Sequence, residues 1–425
     1  MKVLLSASKT TARPPADRQY TLFGRPELQS LGAAGPTLID DLEHFGVSPD
    51  PRAWDFLAIA LGVVAADEGC NREISPDGWT RQIELQVALN DPTFWQSQKA
   101  LLERLLQFLT GDIWNLTLTG GGIGLPKPTK KHIRKSEEDS VCLLSGGADS
   151  LTGAIDVGAL GKKPLLVSQV SDGDKDHQTA FAKAIFGDGH HLQLNHNISS
   201  PVVAERSQRS RSILFVAYGV LGATVLERYK TGQTVTFYVP ENGFISLNVP
   251  LTPLRLGTLS TRTTHPYYMG LVSTLLKNAG LRISIENPFQ FKTKGELFAQ
   301  CQNQALLKSL VCSSTSCGRY KRMAYRHCGR CVPCLIRRAA LLSAKIPDTT
   351  TYVYKDLSID DEHHKQFDDV KSACYAVHQV KTQSLNKWVG GSLSSTQLGD
   401  IKPYNDLLRR GILESETFLK SVGAM

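Results

Sequence analysis

No stretch of this chain stays apolar for long enough to cross a bilayer. The longest apolar runs, FLAIALGVVAA (56–66) and ILFVAYGVLGATVL (213–226), fall short of the roughly 20 residues a spanning helix needs. Both are predicted to be core helices. The opening MKVLLSASKT has one lysine and only three apolar residues before a serine, which is not the profile of a secretory signal. A whole-chain disulfide framework is also missing. There are nine cysteines, and five of them fall between 312 and 334. Clustering of that kind in a reducing compartment points to metal or catalysis rather than to stapling. The expected location is cytoplasmic, with no membrane partner. No internal repeat is visible, and residues 1–135 carry no chemical motif.

What the chain does have is an ordinary globular composition: 425 residues, 41% hydrophobic and 21% charged. That is enough for a real core, and the length suggests two or three domains. The formal net charge of +8 suits polyanions such as nucleotides or RNA without requiring them. Residues 53–66 and 93–110 have helical spacing, and 81–89 and 113–120 alternate as strands do. Residues 1–135 are therefore expected to form a compact N-terminal α+β accessory domain. GGIGLPKPTKKHIRKSEEDS (121–140) turns from glycine and proline to basic and then acidic residues, as a solvated linker does. From 141 onward, short apolar runs alternate with helical segments. This pattern predicts an α/β fold with a doubly wound parallel sheet, covered on both faces, over 138–348. Residues 349–425 are expected to form a C-terminal helical extension.

Within that pattern, VCLLSGGADS (141–150) places a glycine loop between a buried strand and a helix. Free N–H groups and the helix dipole attract anions at such a place, and Gly146 and Gly147 let backbone approach a phosphate without a Cβ in the way. Ser145 and Ser150 offer hydroxyls. Asp149 is expected to fix the loop through hydrogen bonds or to help hold Mg²⁺. The loop is not a Walker A sequence, because no lysine follows the glycines, and it is not GxGxxG. Its pattern is S-G-G-x-D-S, with Ala148 at the variable place.

The cysteine cluster lies in STSCGRYKRMAYRHCGRCVPCLIRR (314–338). Cys328, Cys331 and Cys334 have two residues between each, with Cys317 ten residues before the first. Four thiolates suit structural Zn²⁺; Cys312 competes with Cys317 as the fourth ligand. An iron–sulfur cluster is the other reading of CxxCxxC, although the ferredoxin-type fourth cysteine with proline is missing. Gly329 allows a tight knuckle, and Pro333 announces a helix.

Taken together, the SGGxDS loop, S-T-S-C, and CGRCVPC followed by an arginine-bearing helix resemble the 7-cyano-7-deazaguanine synthase (QueC) family of N-type ATP pyrophosphatases. The resemblance covers roughly 138–345. RSRSILF (209–215) and ENPFQFKTKGE (286–296) extend it, with Arg211 and Lys294 at the family's arginine and lysine. It implies an adenine nucleotide alpha hydrolase-like (PP-loop) fold with a small zinc-binding element at 312–334. It also implies ATP and Mg²⁺, with Ser145, Gly146, Gly147, Ala148, Asp149, Ser150 and Asp172 against ATP. Asp149, Arg211 and Lys294 are the implied catalytic residues. Asn242, Arg262 and His265 are candidates for a deazaguanine substrate.

The sequence also departs from the family. The Pro-Gly before the arginine is replaced, the substrate stretch (241–268) is longer and different, and residues 1–135 are extra. The long form resembles the QueC-like proteins of bacterial antiphage systems of the Qat type, and this implies a protein partner encoded in a defence operon. The resemblance implies adenylation of 7-carboxy-7-deazaguanine at its carboxylate, and the departures predict an altered acceptor, with transfer to an amine on that partner. The rival readings are a housekeeping synthase using ammonia, a tRNA-thiolating enzyme, and a non-catalytic nucleotide sensor. The seven Lys/Arg and no acid of 317–338 make nucleic-acid contact reasonable, though it is not the favoured reading.

Overall fold

The structure is a computed structural model. It describes all residues except 8–15, 130–132, 171–172, 203, 206, 208, 253–261, 359–368, 384, 390–392 and 394–397.

The first half runs β1 (Lys2–Ser6), β2 (Arg18–Leu22), β3 (Gly32–Ala34), α1 (Leu38–Phe45), α2 (Pro51–Gly69), β4 (Gln82–Ala88), α3 (Pro92–Ser97), α4 (Lys99–Thr110) and β5 (Ile113–Thr119). Its five strands pair in the order β3-β2-β1-β4-β5, every pair parallel. The expected α+β arrangement is therefore corrected: this half is α/β. The alternation in β4 and β5 is real, since Ile83, Leu85, Val87, Trp114, Leu116 and Leu118 are buried while Gln82, Glu84, Ile113, Asn115 and Thr117 are exposed. Such alternation commonly accompanies antiparallel pairing. Here it arises because none of the described residues between β1 and β3 is helical, so one face of a parallel sheet stays wet. The short strands β1 to β3 carried no legible period.

The second half runs β6 (Ser140–Leu143), α5 (Ala148–Ala159), β7 (Pro164–Gln169), α6 (Lys175–Phe186), β8 (His191–Leu194), α7 (Ser212–Thr224), α8 (Glu227–Lys230), β9 (Val235–Tyr238), α9 (Gly243–Ser246), α10 (Pro266–Asn278) and β10 (Ile283–Glu286). Its strands, again all parallel, pair in the order β8-β7-β6-β9-β10. Helices α5 and α7 lie against this sheet. Counted from the first strand of each, both sheets have the order 3-2-1-4-5. Helices α2 and α7, which follow the third strands, pack on each other, and so do α4 and α10, which follow the fourth. The repeat is one of topology, and no residue-by-residue similarity announces it. Helix α2 is buried along almost its whole length because one side meets the first sheet and the other meets α7. That is why 56–66 is apolar all round instead of amphipathic.

The chain ends with α11 (Lys294–Ala299), α12 (Gln304–Leu310), α13 (Val332–Ser343), α14 (Asp369–Thr382), α15 (Leu385–Val389) and α16 (Lys402–Ser421). Helix α16 packs on α13 and α9. Glu414 of α16 accepts hydrogen bonds from the Thr293 hydroxyl and, at 3.3 Å, from the Gly295 amide. Arg410 pairs with Glu296 at 2.6 Å. The C-terminal segment thus holds the N-terminus of α11, where Lys294 sits. Among the described residues, no helix is long and apolar enough to cross a membrane.

Candidate functional site

The glycine loop follows β6, the central strand of the second sheet, and leads into α5. The helix begins at Ala148, earlier than the apolar pattern suggests, because Gly147 takes the extended N-cap conformation. Gly146 has φ +88, a left-handed backbone that favours glycine. The Ser145 amide donates to Ser150 Oγ at 3.0 Å, the two hydroxyls are 3.0 Å apart, and the Ser150 hydroxyl donates to the Gly147 carbonyl at 3.0 Å. No side chain caps the start of α5, so its first N–H groups are left for an anion or water.

Two outside groups hold the loop. Gln178 Nε2, from α6, donates to the Ser145 carbonyl at 3.1 Å. The Thr315 amide donates to the Gly146 carbonyl at 2.9 Å.

Asp149 points under the loop and is buried. Its Oδ1 lies 2.9 Å from Lys294 Nζ, and its Oδ2 accepts from the Asn242 amide at 3.2 Å and from Asn242 Nδ2 at 2.7 Å. Burial by itself would raise this carboxyl. The Lys294 ammonium and hydrogen bonds, those of Asn242 among them, outweigh it and hold the pKa at about 2. Asn242 also caps α9, its Oδ1 accepting from the Ile245 amide at 3.0 Å. Three residues taken from separate stretches of sequence, Asp149, Asn242 and Lys294, therefore meet in one buried cluster.

Above the loop, a cavity of about 510 Å³ is lined by Ser145, Ser150, Asp174 and Arg211, with an apolar floor that includes Leu143 and Phe215. A neighbouring cavity of about 680 Å³ shares Asp174 and Arg211 and reaches His196, Thr315 and Cys317. Burial, with Arg211 close by, pushes the His196 imidazole down to about 4, so the ring is neutral at pH 7. Its Nδ1 is 3.1 Å from Gln169 Nε2.

Arg262 and His265 turn elsewhere. Arg262 donates to the Phe108 carbonyl at 3.3 Å and stacks 4.7 Å from that ring; His265 caps α10 and also meets Phe108. Both face α4 of the first half, while Thr263 and Thr264 line the cavity. Asp172 lies outside the described residues.

The four thiols of Cys317, Cys328, Cys331 and Cys334 are buried, with all sulfurs within 4.8 Å of one another. The Cys317–Cys331 and Cys328–Cys334 separations are both 3.9 Å. Zinc–sulfur bonds of about 2.3 Å in a tetrahedron require sulfurs about 3.8 Å apart, so the set fits zinc. Amides of Arg319 and Cys328 donate to Cys317 Sγ, and that of Cys331 to Cys328 Sγ, each at 3.3 Å; such bonds favour thiolate. Gly329 has φ +86, and a Cβ there would fall 2.4 Å from the Tyr354 carbonyl oxygen. Cys312 stands apart, its thiol 3.6 Å from the Pro347 carbonyl.

Arg337, fully buried on α13, ties this centre to the glycine loop. It donates to Ser314 Oγ at 2.8 Å, to Ser316 Oγ at 3.2 Å and to the Val311 carbonyl at 2.7 Å. It thereby fixes the segment from which the Thr315 amide reaches Gly146. Gln178 and Arg337 are supporting residues that the sequence reading missed. The signal available for each was a polar residue on the inward face of a helix.

No family model, curated protein or solved structure matches the chain.

Proposed function

We propose that this chain is an ATP-dependent, AMP-forming C–N ligase of the 7-cyano-7-deazaguanine synthase type, acting in antiphage defence. In the first step the carboxylate of 7-carboxy-7-deazaguanine attacks the α-phosphorus of ATP. The bond to the β-phosphate breaks, and pyrophosphate leaves. In the second step an amine on a partner protein attacks the acyl carbon, AMP leaves, and an amide forms with loss of one proton.

The observation that carries this reading is the union of two distant motifs: the Thr315 amide, two residues before Cys317, bonds to the Gly146 carbonyl at 2.9 Å. A simple strand-to-helix turn has no need of that partner. In this reading Ser145, Gly146, Gly147, Ala148 and Ser150 seat the pyrophosphate through N–H and hydroxyl donors, where preorganised donors lower the barrier to its departure. Arg211 supplies a cation at the shared wall of the two cavities. Asp149 and Lys294 hold one another beneath the loop and fix α5, and with Asn242 on its other oxygen Asp149 has neither oxygen left for Mg²⁺. Zinc would act as a cross-link that keeps 314–317 against the loop.

Incubation with ATP, the deazaguanine acid and a candidate partner, followed by pyrophosphate assay and intact mass, tests the proposal. Pyrophosphate release with a partner mass gain is expected. A free nitrile with no partner mass shift would move the chain to the ammonia-using class, and no acid-dependent pyrophosphate release would overturn the reading altogether.

A further inference from the structure

Arg209 is a residue to which the resemblance assigns nothing. It precedes α7 and is 3% exposed, yet it lines the 510 Å³ cavity with Ser145 and Ser150. Its Nη1 donates to the Thr110 carbonyl at 3.2 Å, and its guanidinium stacks 4.2 Å from the Trp79 ring. Its Nη2 is buried and has no hydrogen-bond partner among the described residues. A buried guanidinium N–H without a partner is costly.

The neighbouring ions do not satisfy it, because they bind one another. Arg72 and Arg81 take both oxygens of Asp112, and Arg81 also pairs with Asp67. Asp67 Oδ2 is engaged by the Arg209 amide at 2.7 Å and by the Ser210 amide and hydroxyl, each at 2.8 Å. Glu205 accepts from the Arg72 and Ser207 amides. The network therefore fixes the Arg209 backbone while leaving one edge of its side chain unused among the described residues. Burial and the nearby Arg72 lower the Arg209 pKa to about 10, which still leaves it charged at pH 7.

We propose that Arg209 is a ligand-binding residue, whose guanidinium receives a carboxylate oxygen of an aromatic acid lying on the apolar floor of this cavity. Leu143, Phe215, Val239 and Pro240 supply that floor. The subsite deepens the proposed function. It rests on that reading for the identity of the acid, but not for the presence of the subsite.

The test is calorimetric titration of the full chain and its Arg209→Met and Arg209→Lys variants. The probes are 7-carboxy-7-deazaguanine, indole-3-carboxylate as a generic aromatic acid, and the amide of each. ATP is titrated separately. Losing a charge-assisted bond should weaken acid binding about tenfold or more in Arg209→Met, with Lys intermediate and amide binding little changed. Unfolding midpoints of the free variants establish that they fold. Equal effects on acid and amide, no effect on either, or no acid binding by the wild type would each overturn the subsite. Absence of ATP binding would instead count against the proposed function, whatever the acids do.

Discussion

Lys294 Nζ lies 2.9 Å from Asp149 Oδ1, and both side chains are buried. A lysine in the first turn of α11 opposes the helix dipole, so this position is explained by its partner on α5 and not by its own helix. The pair joins the glycine loop to the last third of the chain.

Breaking that pair from one side leaves a buried charge. Lys294→Met is expected to cost about 3–5 kcal/mol, while the double variant with Asp149→Asn should lose less than the sum of the two single changes. Denaturant unfolding of the four proteins checks this; strict additivity would show that the two groups do not interact.

The same pair sets an acid limit. The folded pKa of Asp149, about 2, lies below the unfolded value of about 3.9. The stability this adds is fully present above about pH 4 and is lost as pH falls through about 2. Stability measured from pH 6 to pH 2 should fall less steeply in Asp149→Asn than in the wild type.

Glu414 has the opposite sign. Burial raises its carboxyl to about 7, against hydrogen bonds from Thr293 and Gly295 that lower it. The folded state therefore binds the proton more tightly, and the contribution present below about pH 4 fades as pH rises through about 7. Glu414→Gln should gain stability relative to the wild type at pH 8 compared with pH 5. An identical difference at both values would refute the linkage.

Metal analysis should find one zinc per chain, lost in Cys328→Ser and kept in Cys312→Ser. Because the Thr315 amide reaches Gly146, chelation should also speed hydrogen exchange at 144–150. Unchanged exchange there after complete zinc removal would separate the two sites.

Arg337→Met removes the buried donors to Ser314, Ser316 and Val311. Zinc content should persist, since no cysteine is touched, while exchange at 311–316 and at the glycine loop rises. Loss of zinc without loop exchange would contradict the proposed order of support.

Much of the second half was legible in the sequence. The apolar runs of β6, β7 and β9, the helices between them, the glycine loop and the knuckle at Gly329 each depend on residues adjacent in the chain. The first half was less legible. Strands β1 to β3 are too short to show a period, and the alternation in β4 and β5 says that one face is wet without saying which direction the neighbours run. Arg262 and His265 are polar residues between apolar elements, and their place against Phe108 depends on how α4 meets α10.

The sequence by itself determined that a strand gives way to a helix across Gly146 and Gly147, and which cysteines are near enough in the chain to share a metal, because backbone sterics and short spacings are local. Only the tertiary structure decided that Cys317 and not Cys312 completes the set, that Asp149 faces Lys294, and that Arg209 keeps one donor unused among the described residues. Asp149 and Lys294 lie far apart in the chain, as do Arg209 and Thr110, and the choice between Cys317 and Cys312 depends on how 312–317 folds against 328–334, so no local pattern encodes them.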